Sequence, residues 1–198
     1  MRDLIRKSKN QLKEFIAIIW IFFTSYSRKR ISIPILCYHS IGKTKNYEGD
    51  SLLPEDFEKH LGYLKQNYTI ISLERAVNFL KGNRGAIINP VVLTFDDGYK
   101  DNYDIAFPLL KKIHAPATIF VVTGFIDKNI TLIDQDDFDP LSWDQIREMD
   151  SSEYVTIGAH TDTHRILSSL NDFDIDREIN LSKQKLETQL GRSINLFA

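Results

Sequence analysis

Cysteine is almost absent from this sequence of 198 residues, and Cys37 is the single one. One thiol cannot close a disulfide within the chain, so the fold has no internal disulfide and the redox compartment stays undecided. Because Cys37 lies in an apolar run, we expect it to be a small buried hydrophobic residue.

An excess of basic charge is also missing. The net charge is −2 and the isoelectric point is near 6.2, so the chain has no basic footprint for nucleic acid. Hydrophobic residues make up 42% of the chain and charged residues 26%, which is enough to build a core and excludes a disordered protein. The length fits one domain, or one domain with an appendage.

The third feature that the sequence lacks is an apolar run long enough to cross a bilayer. The longest one, Phe15–Phe23, is well short of the roughly 20 residues that a transmembrane helix requires. Basic residues precede it, as in a signal peptide or a signal anchor. No small-x-small cleavage site follows, however, and Arg28–Arg30 stand there instead.

Two interpretations of this N-terminal segment, residues 1–30, stay open. It forms a helix in the membrane interface with Trp20 inserted, or a helix docked on its own domain. We expect membrane association through residues 15–26, at a membrane or in the cell envelope, with the cytoplasmic face equally open. Basic residues on both sides leave the orientation undetermined. The remaining residues, 31–198, then form the main domain.

Residues 31–198 alternate between strand and helix patterns without an internal repeat, which predicts an α/β fold with a parallel sheet. β-Branched and aliphatic runs indicate the strands, and apolar positions at helical spacing indicate the helices. The predicted strands are 31–42, 67–72, 91–95, 117–123, 154–159 and 193–198, and the predicted helices begin at Pro54, Ser72, Asp101, Ser142 and residue 172.

Two adjacent carboxylates end the central predicted strand. Val91–Leu93 form its apolar run, and Asp96, Asp97 and Gly98 follow. Because side chains alternate along a strand, the two acids are expected to diverge and to serve different purposes. An ordinary Asp-Asp-Gly turn is the competing interpretation.

Three histidines lie where other predicted strands end. His160 and His164 follow the strand 154–159, and His39 comes near the end of the first strand. In parallel α/β folds, functional groups gather at the carboxyl ends of the strands. His39 therefore either lines the same site or has only a structural role.

Together these residues predict a catalytic metal site. If His160 and His164 lie on a helical turn, both imidazoles can reach one cation, and Asp97 at the same sheet edge supplies a third ligand. Three protein ligands leave room for water and substrate. Asp96 then faces the water as general base, and the Thr161 hydroxyl stabilises the turn.

The motif Thr-Phe-Asp-Asp-Gly at 94–98, followed by His-Thr-Asp-Thr-His at 160–164, resembles the first two signature motifs of the polysaccharide deacetylases, carbohydrate esterase family 4. The residues Leu-Cys-Tyr-His at 36–39 and Leu-Ser-Trp-Asp-Gln-Ile-Arg at 141–147 provide a similar context. The resemblance covers about residues 33–198.

The resemblance implies a distorted (β/α) barrel of about seven strands. It implies metal-dependent hydrolysis of the acetamide of an N-acetylhexosamine in a polysaccharide, peptidoglycan or lipid-linked sugar, with release of acetate. By the same resemblance, Asp96 is the catalytic base, and Asp97, His160 and His164 bind zinc or a similar divalent ion. An N-acetylated glycan is the implied partner.

The sequence also departs from the family. Its later motifs contain an arginine that positions the base, an Asp-Trp pair, and a Leu-x-His whose histidine is the general acid. The sequence ends at Ala198, where the first of these is expected, and no histidine follows His164. We therefore expect an incomplete barrel, and a chain that by itself binds metal weakly and has little or no activity.

Two other functions remain open. The chain is a truncated or degenerate member that binds a glycan or a partner without catalysis, or it is an unrelated metallohydrolase. The second alternative predicts no preference for N-acetyl sugars over other amides.

Overall fold

A computed structural model describes residues 32–42, 51–82, 87–132 and 138–198. The N-terminal segment 1–30 lies outside the described residues, so its membrane association and the domain boundary after residue 30 stay predictions. None of the helices in the described ranges is long and apolar enough to span a bilayer.

The described strands form a parallel sheet, which confirms the predicted fold class. Its order is β1-β5-β6-β7, and β4 pairs with one end of β5. A second, two-stranded parallel sheet joins β2 and β3. The strands are β1 (Ile35–Tyr38), β2 (Ser40–Ile41), β3 (Ser51–Leu52), β4 (Thr69–Ile70), β5 (Pro90–Phe95), β6 (Ala117–Val121) and β7 (Val155–Ala159).

Helices connect these strands, and most begin where the sequence predicts. The Ser142 hydroxyl accepts a hydrogen bond from Gln145 N, and the Gln145 side chain accepts one from Ser142 N, which is a capping box. Gly191 ends the last helix at φ 66°. The helices are α1 (Pro54–Asn67), α2 (Leu73–Leu80), α3 (Phe107–Ile113), α4 (Thr123–Ile126), α5 (Trp143–Asp150) and α6 (Asp172–Leu190), with a 3-10 turn at Leu167–Ser169.

The core surrounds β5, whose six residues are all buried. A parallel strand with both faces covered is expected to be apolar throughout, as the run Val91–Leu93 is. Phe57 and Leu61 of α1 and Ile146 of α5 belong to the same cluster. This packing fixes the position at which β5 ends, and with it the position of Asp96 and Asp97.

The helix predicted from Asp101 begins with a π turn at Asn102–Ala106 before α3. Phe107 N donates to Asn102 O, five residues earlier. Pro108 follows directly and has no N–H to donate to residue 104, so a regular α-helical ladder is interrupted here.

Several predicted strand bounds were too long. The strand predicted for 67–72 covers only Thr69–Ile70. β6 ends at Val121. Gly124, which was predicted to close that strand, lies inside α4 instead, and its N–H donates to Asp162 O at 2.7 Å. In the predicted strand 193–198, Phe197 forms a single parallel bridge with Ala159.

The buried face of α6 is more polar than predicted. Leu186 is fully buried as expected, but Glu178 and Ser182 are the other two buried residues of this helix. Ile175 and Ile179 are only half-buried. Glu178 takes a buried position because the loop after β7 offers it hydrogen-bond donors.

Candidate metal centre

The turn after β5 separates the two adjacent carboxylates. Asp97 adopts φ 73° and Gly98 φ 85°. At Gly98 a Cβ would lie 2.9 Å from Val121 Cγ1, so only glycine fits. The Asp97 side chain is buried, whereas Asp96 is half-buried on the other side of the turn. The predicted divergence of the two acids is therefore present.

Asp97, His160 and His164 lie together, as the sequence predicted. Asp97 Oδ1 is 3.3 Å from His164 Nε2 and 3.6 Å from His160 Nε2. One ligand atom from each residue falls within 4.8 Å of the other two. Three donors at this spacing can surround a single cation.

The Asp97 carboxylate has one satisfied and one unsatisfied oxygen. Tyr99 OH donates to Asp97 Oδ2 at 2.8 Å. Asp97 Oδ1 is buried and has no hydrogen-bond partner within the part of the chain that the structure describes. A buried carboxylate oxygen without a donor is costly. A cation between Oδ1 and the two imidazoles would remove that cost, so the residues fit a divalent metal.

The two histidines do not lie on a helical turn, and that expectation was wrong. Residues 160–164 form an irregular loop in which Thr161 has φ 64° and His164 has φ 57°. The Thr161 hydroxyl accepts a hydrogen bond from His164 N at 3.0 Å, as predicted for a turn-stabilising residue. Left-handed backbone at two non-glycine residues is costly and needs support from the surroundings.

The ring of His160 is oriented by the backbone. Its Nδ1 lies 2.7 Å from Ala198 O, and since a carbonyl only accepts, Nδ1 carries the proton. Nε2 of the same ring faces Asp97, and a hydrogen bond of this kind from the other ring nitrogen orients metal-binding histidines. Burial lowers the pKa of His164, with the nearby Asp97 carboxylate opposing the shift, so this imidazole favours the neutral form.

Glu178 of α6 accepts hydrogen bonds from residues 160–164, which we call the histidine loop, and sequence analysis missed this role. Its carboxylate is 5% exposed. Oε2 accepts hydrogen bonds from Asp162 N at 3.0 Å and Thr163 N at 2.7 Å, and Oε1 accepts one from Thr163 Oγ1. The available signal was an acidic residue on the apolar face predicted for this helix.

A second group from α6 holds the same loop. Lys185 Nζ donates to Asp162 Oδ1 at 2.7 Å and lies 2.7 Å from Asp127 Oδ2. Thr123 Oγ1 donates to Asp162 Oδ1 at 2.6 Å, and Trp143 Nε1 donates to Asp127 Oδ1 at 3.0 Å. These contacts join α4, α5 and α6 to the loop between the two histidines.

Asp96 has different neighbours from Asp97. Cys37 Sγ donates to Asp96 Oδ2 at 3.1 Å, while Asp96 Oδ1 is buried and has no hydrogen-bond partner in the described ranges. Cys37 was expected to be a buried hydrophobic residue, and this was wrong: it is exposed and contacts the carboxylate. Partial burial of the sulfur, together with the hydrogen bond to Asp96, raises the pKa of Cys37 to about 12.

His39 lies at this same edge of the sheet. A ring nitrogen of His39, Cys37 Sγ and an Asp96 oxygen all fall within 4.8 Å of one another. The buried Asn102 side chain donates to His39 O at 2.8 Å and fixes the backbone at this point. His39 therefore lies beside Asp96, as the site-lining interpretation predicts.

A cleft of about 350 Å³ opens beside the histidine loop. It is partly polar and reaches His164 directly, so a ligand in it would contact this histidine. The lining residues are Thr131, Leu132, Thr163, His164, Arg165, Ile166, Ser169 and Leu170.

The family model for polysaccharide deacetylase matches residues 84–198, which include both carboxylates and both histidines. YxkH of Bacillus subtilis (strain 168), which is named for this family, is 30% identical over 191 residues, or 95% of this chain. The poly-beta-1,6-N-acetyl-D-glucosamine N-deacetylase of Escherichia coli (strain K12) is 32% identical over 120 residues, or 56% of this chain. The chain spans 62% and 17% of the lengths of these two relatives.

Two solved structures share the fold of this chain. Streptococcus pyogenes deacetylase PplD, in complex with acetate, superimposes with a TM-score of 0.73 and 28% identity, covering 84% of this chain and 73% of PplD. IcaB from Ammonifex degensii matches with a TM-score of 0.69 and 26% identity, covering 83% of this chain and 72% of IcaB. The sheet, the site at its edge and the match of the family model agree, and the chain belongs to the polysaccharide deacetylase family.

Proposed function

We propose that this protein hydrolyses the N-acetyl group of an N-acetylhexosamine in a glycan and releases acetate. The observation that carries the proposal is Asp97 Oδ1, a buried carboxylate oxygen that faces Nε2 of both His160 and His164 and has no hydrogen-bond donor among the described residues. Two of the proteins described above support it. The E. coli relative is named for a deacetylase of poly-beta-1,6-N-acetyl-D-glucosamine, and Streptococcus pyogenes PplD, which shares the fold, is a deacetylase in complex with acetate.

Asp97, His160 and His164 would hold a divalent cation, and nitrogen and oxygen donors in this combination suit zinc. Such a cation supplies Lewis-acid chemistry, since it polarises the acetyl oxygen and lowers the pKa of a water molecule. Asp96 lies on the other side of the turn and would accept the proton of the attacking water. The cleft beside His164 would receive the sugar.

The experiment combines metal analysis with an acetate-release assay on N-acetylglucosamine oligomers. We expect the wild type to bind one divalent ion. His164→Ala should lose that ion, because the variant lacks one of three ligands, whereas Asp96→Asn should keep it and lose acetate release. His60→Ala, at an exposed position of α1, is the matched histidine control and should behave as the wild type.

Two outcomes would count against the proposal. Metal retained by His164→Ala would contradict the ligand assignment. Metal bound by the wild type without any release of acetate would favour the alternative, a family member that binds glycan without catalysis.

We also propose that the protein works at a membrane surface, where residues 15–26 hold it near an envelope glycan. The basic residues on both sides of Phe15–Phe23 and the interfacial preference of tryptophan support this location.

A further inference from the structure

A second group of metal-binding donors lies next to the first. β1 and β5 are parallel, with Cys37 opposite Thr94 and Tyr38 opposite Phe95. The next residues, His39 and Asp96, therefore lie opposite each other, and Asp96 N donates to Tyr38 O at 2.9 Å. Alternation along the strands puts Cys37, His39 and Asp96 on one face of the sheet.

The donor atoms of this group differ from those of the first site. Cys37 offers sulfur, His39 an imidazole nitrogen and Asp96 a carboxylate oxygen, and these atoms lie within 4.8 Å of one another. Zinc accepts all three donor types, and thiolate favours soft divalent ions over magnesium or calcium. Asp96 and Asp97 thus belong to two separate groups of three donors.

The second, independent observation is the state of the Asp96 carboxylate. Oδ2 accepts a hydrogen bond from Cys37 Sγ, and Oδ1 is buried with no partner among residues 32–42, 51–82, 87–132 and 138–198. An unsatisfied buried oxygen next to a thiol and an imidazole is the feature that a cation would complete.

We propose that Cys37, His39 and Asp96 form a second site for a zinc-like divalent ion, separate from Asp97, His160 and His164. Binding breaks the Cys37 S–H bond, forms a metal–sulfur bond and releases one proton to the solvent. Because binding here must displace the Cys37 proton that is hydrogen-bonded to Asp96 Oδ2, this site fills after the first one.

The position of the second site has a consequence for catalysis, and this part rests on the proposed function. Asp96 cannot accept a proton from water while it binds a cation. Excess metal would therefore withdraw the general base and act as an inhibitor.

Cobalt titration of the metal-free, full 198-residue chain tests the proposal, because a thiolate bound to Co²⁺ gives a charge-transfer band in the near ultraviolet. Cys37 is the only cysteine, so the band reports this residue alone. We expect the first equivalent to bind without the band and the second to produce it. Saturation with cobalt without a thiolate band would overturn the proposal.

Three variants separate the two sites. Cys37→Ser should abolish the band and keep the first equivalent. Asp96→Asn should weaken cobalt binding at the second site by about tenfold or more, as expected when a ligand is lost. His164→Ala should lose the first equivalent and keep the band.

The two proposals fail in different ways. A band that persists in His164→Ala together with an unchanged first equivalent contradicts the ligands of the proposed function but leaves the second site intact. A normal first site and no band in any variant contradicts only the second site. An Asp96→Asn variant with unchanged second-site affinity shows that Asp96 is not a ligand.

Discussion

The candidate site depends on residues that do not contact the side chains of the metal ligands, and Glu178 is one of them. The loop that carries His160 and His164 contains two left-handed residues, and its central N–H groups point into the protein. Glu178 accepts those N–H groups with a buried carboxylate. Without it, the loop would leave buried donors unpaired, at a cost of about 1–3 kcal/mol each.

At the residue scale we predict that Glu178→Ala lowers the zinc affinity by about 10- to 100-fold, because the loss of a group that orients metal ligands typically reduces metal affinity by this factor. Competition with a chromophoric chelator measures the affinity, and circular dichroism checks the fold. Glu178→Gln keeps an acceptor oxygen and should lie between the wild type and Glu178→Ala.

The matched control is Glu187→Ala on the same helix. Glu187 Oε1 accepts from Ile194 N and lies 3.8 Å from Lys183 Nζ, and both of these partners are outside the loop of residues 160–164. Its substitution should leave the zinc affinity unchanged. An equal loss of affinity in both variants would show that α6 acts through overall stability and not through the contacts of Glu178.

At the scale of elements, the site depends on close packing between α4 and the histidine loop. Thr123 N and Gly124 N donate to Thr161 O and Asp162 O, at 3.3 and 2.7 Å. A Cβ at Gly124 would lie only 2.5 Å from Asp162 O. The neighbour is backbone, so it cannot rotate away as a flexible side chain would.

We predict that Gly124→Ala destabilises the protein by about 1–3 kcal/mol, the usual cost of overpacking, and weakens zinc binding by displacing the loop. Urea denaturation measures the free energy of unfolding. The same change at Gly62 is the control, because this residue is exposed in the middle of α1 and a Cβ there contacts nothing within 4 Å.

Gly62→Ala should stabilise the protein by about 0.5–1 kcal/mol, since alanine favours the helix over the unfolded chain. The same substitution of glycine by alanine is thus expected to lower the stability at position 124 and to raise it at position 62. Stabilisation by Gly124→Ala would mean that the histidine loop moves freely away from α4.

At the scale of the whole molecule, the two tryptophans allow a test of the proposed membrane association. Trp20 lies within the apolar run, and Trp143 is the only other tryptophan. In a Trp143→Phe variant the fluorescence therefore reports Trp20 alone. Tryptophan that enters the bilayer interface moves to a less polar environment, and its emission shifts to the blue.

We predict such a shift when vesicles of phosphatidylcholine and phosphatidylglycerol are added to the full-length Trp143→Phe variant. Added salt should weaken binding, because the flanking basic residues attract anionic lipid. Trp20→Phe, which retains Trp143, is the control and should show no shift. An unchanged Trp20 emission at high lipid concentration would favour a helix docked on its own domain.

Most of the fold and the main donors were predictable from local sequence. Continuous apolar runs predict buried parallel strands, and Ser142 and Gly191 predict helix ends, because these signals act within a few residues. Asp97, His160 and His164 were predictable as neighbours because parallel strands present their carboxyl ends at one edge. The resemblance of their two motifs to the polysaccharide deacetylases then identified the family.

What the sequence determined by itself is this pattern of strands, helices and chemically distinctive residues at strand ends. Only the tertiary structure decided how the loops between them are held. Glu178 and Lys185 reach the histidine loop from a helix that follows it, and Cys37 reaches Asp96 because β1 pairs with β5. Contacts between residues distant in sequence leave no local periodicity, so the partners of a buried carboxylate or a thiol become visible only when the sheet is assembled.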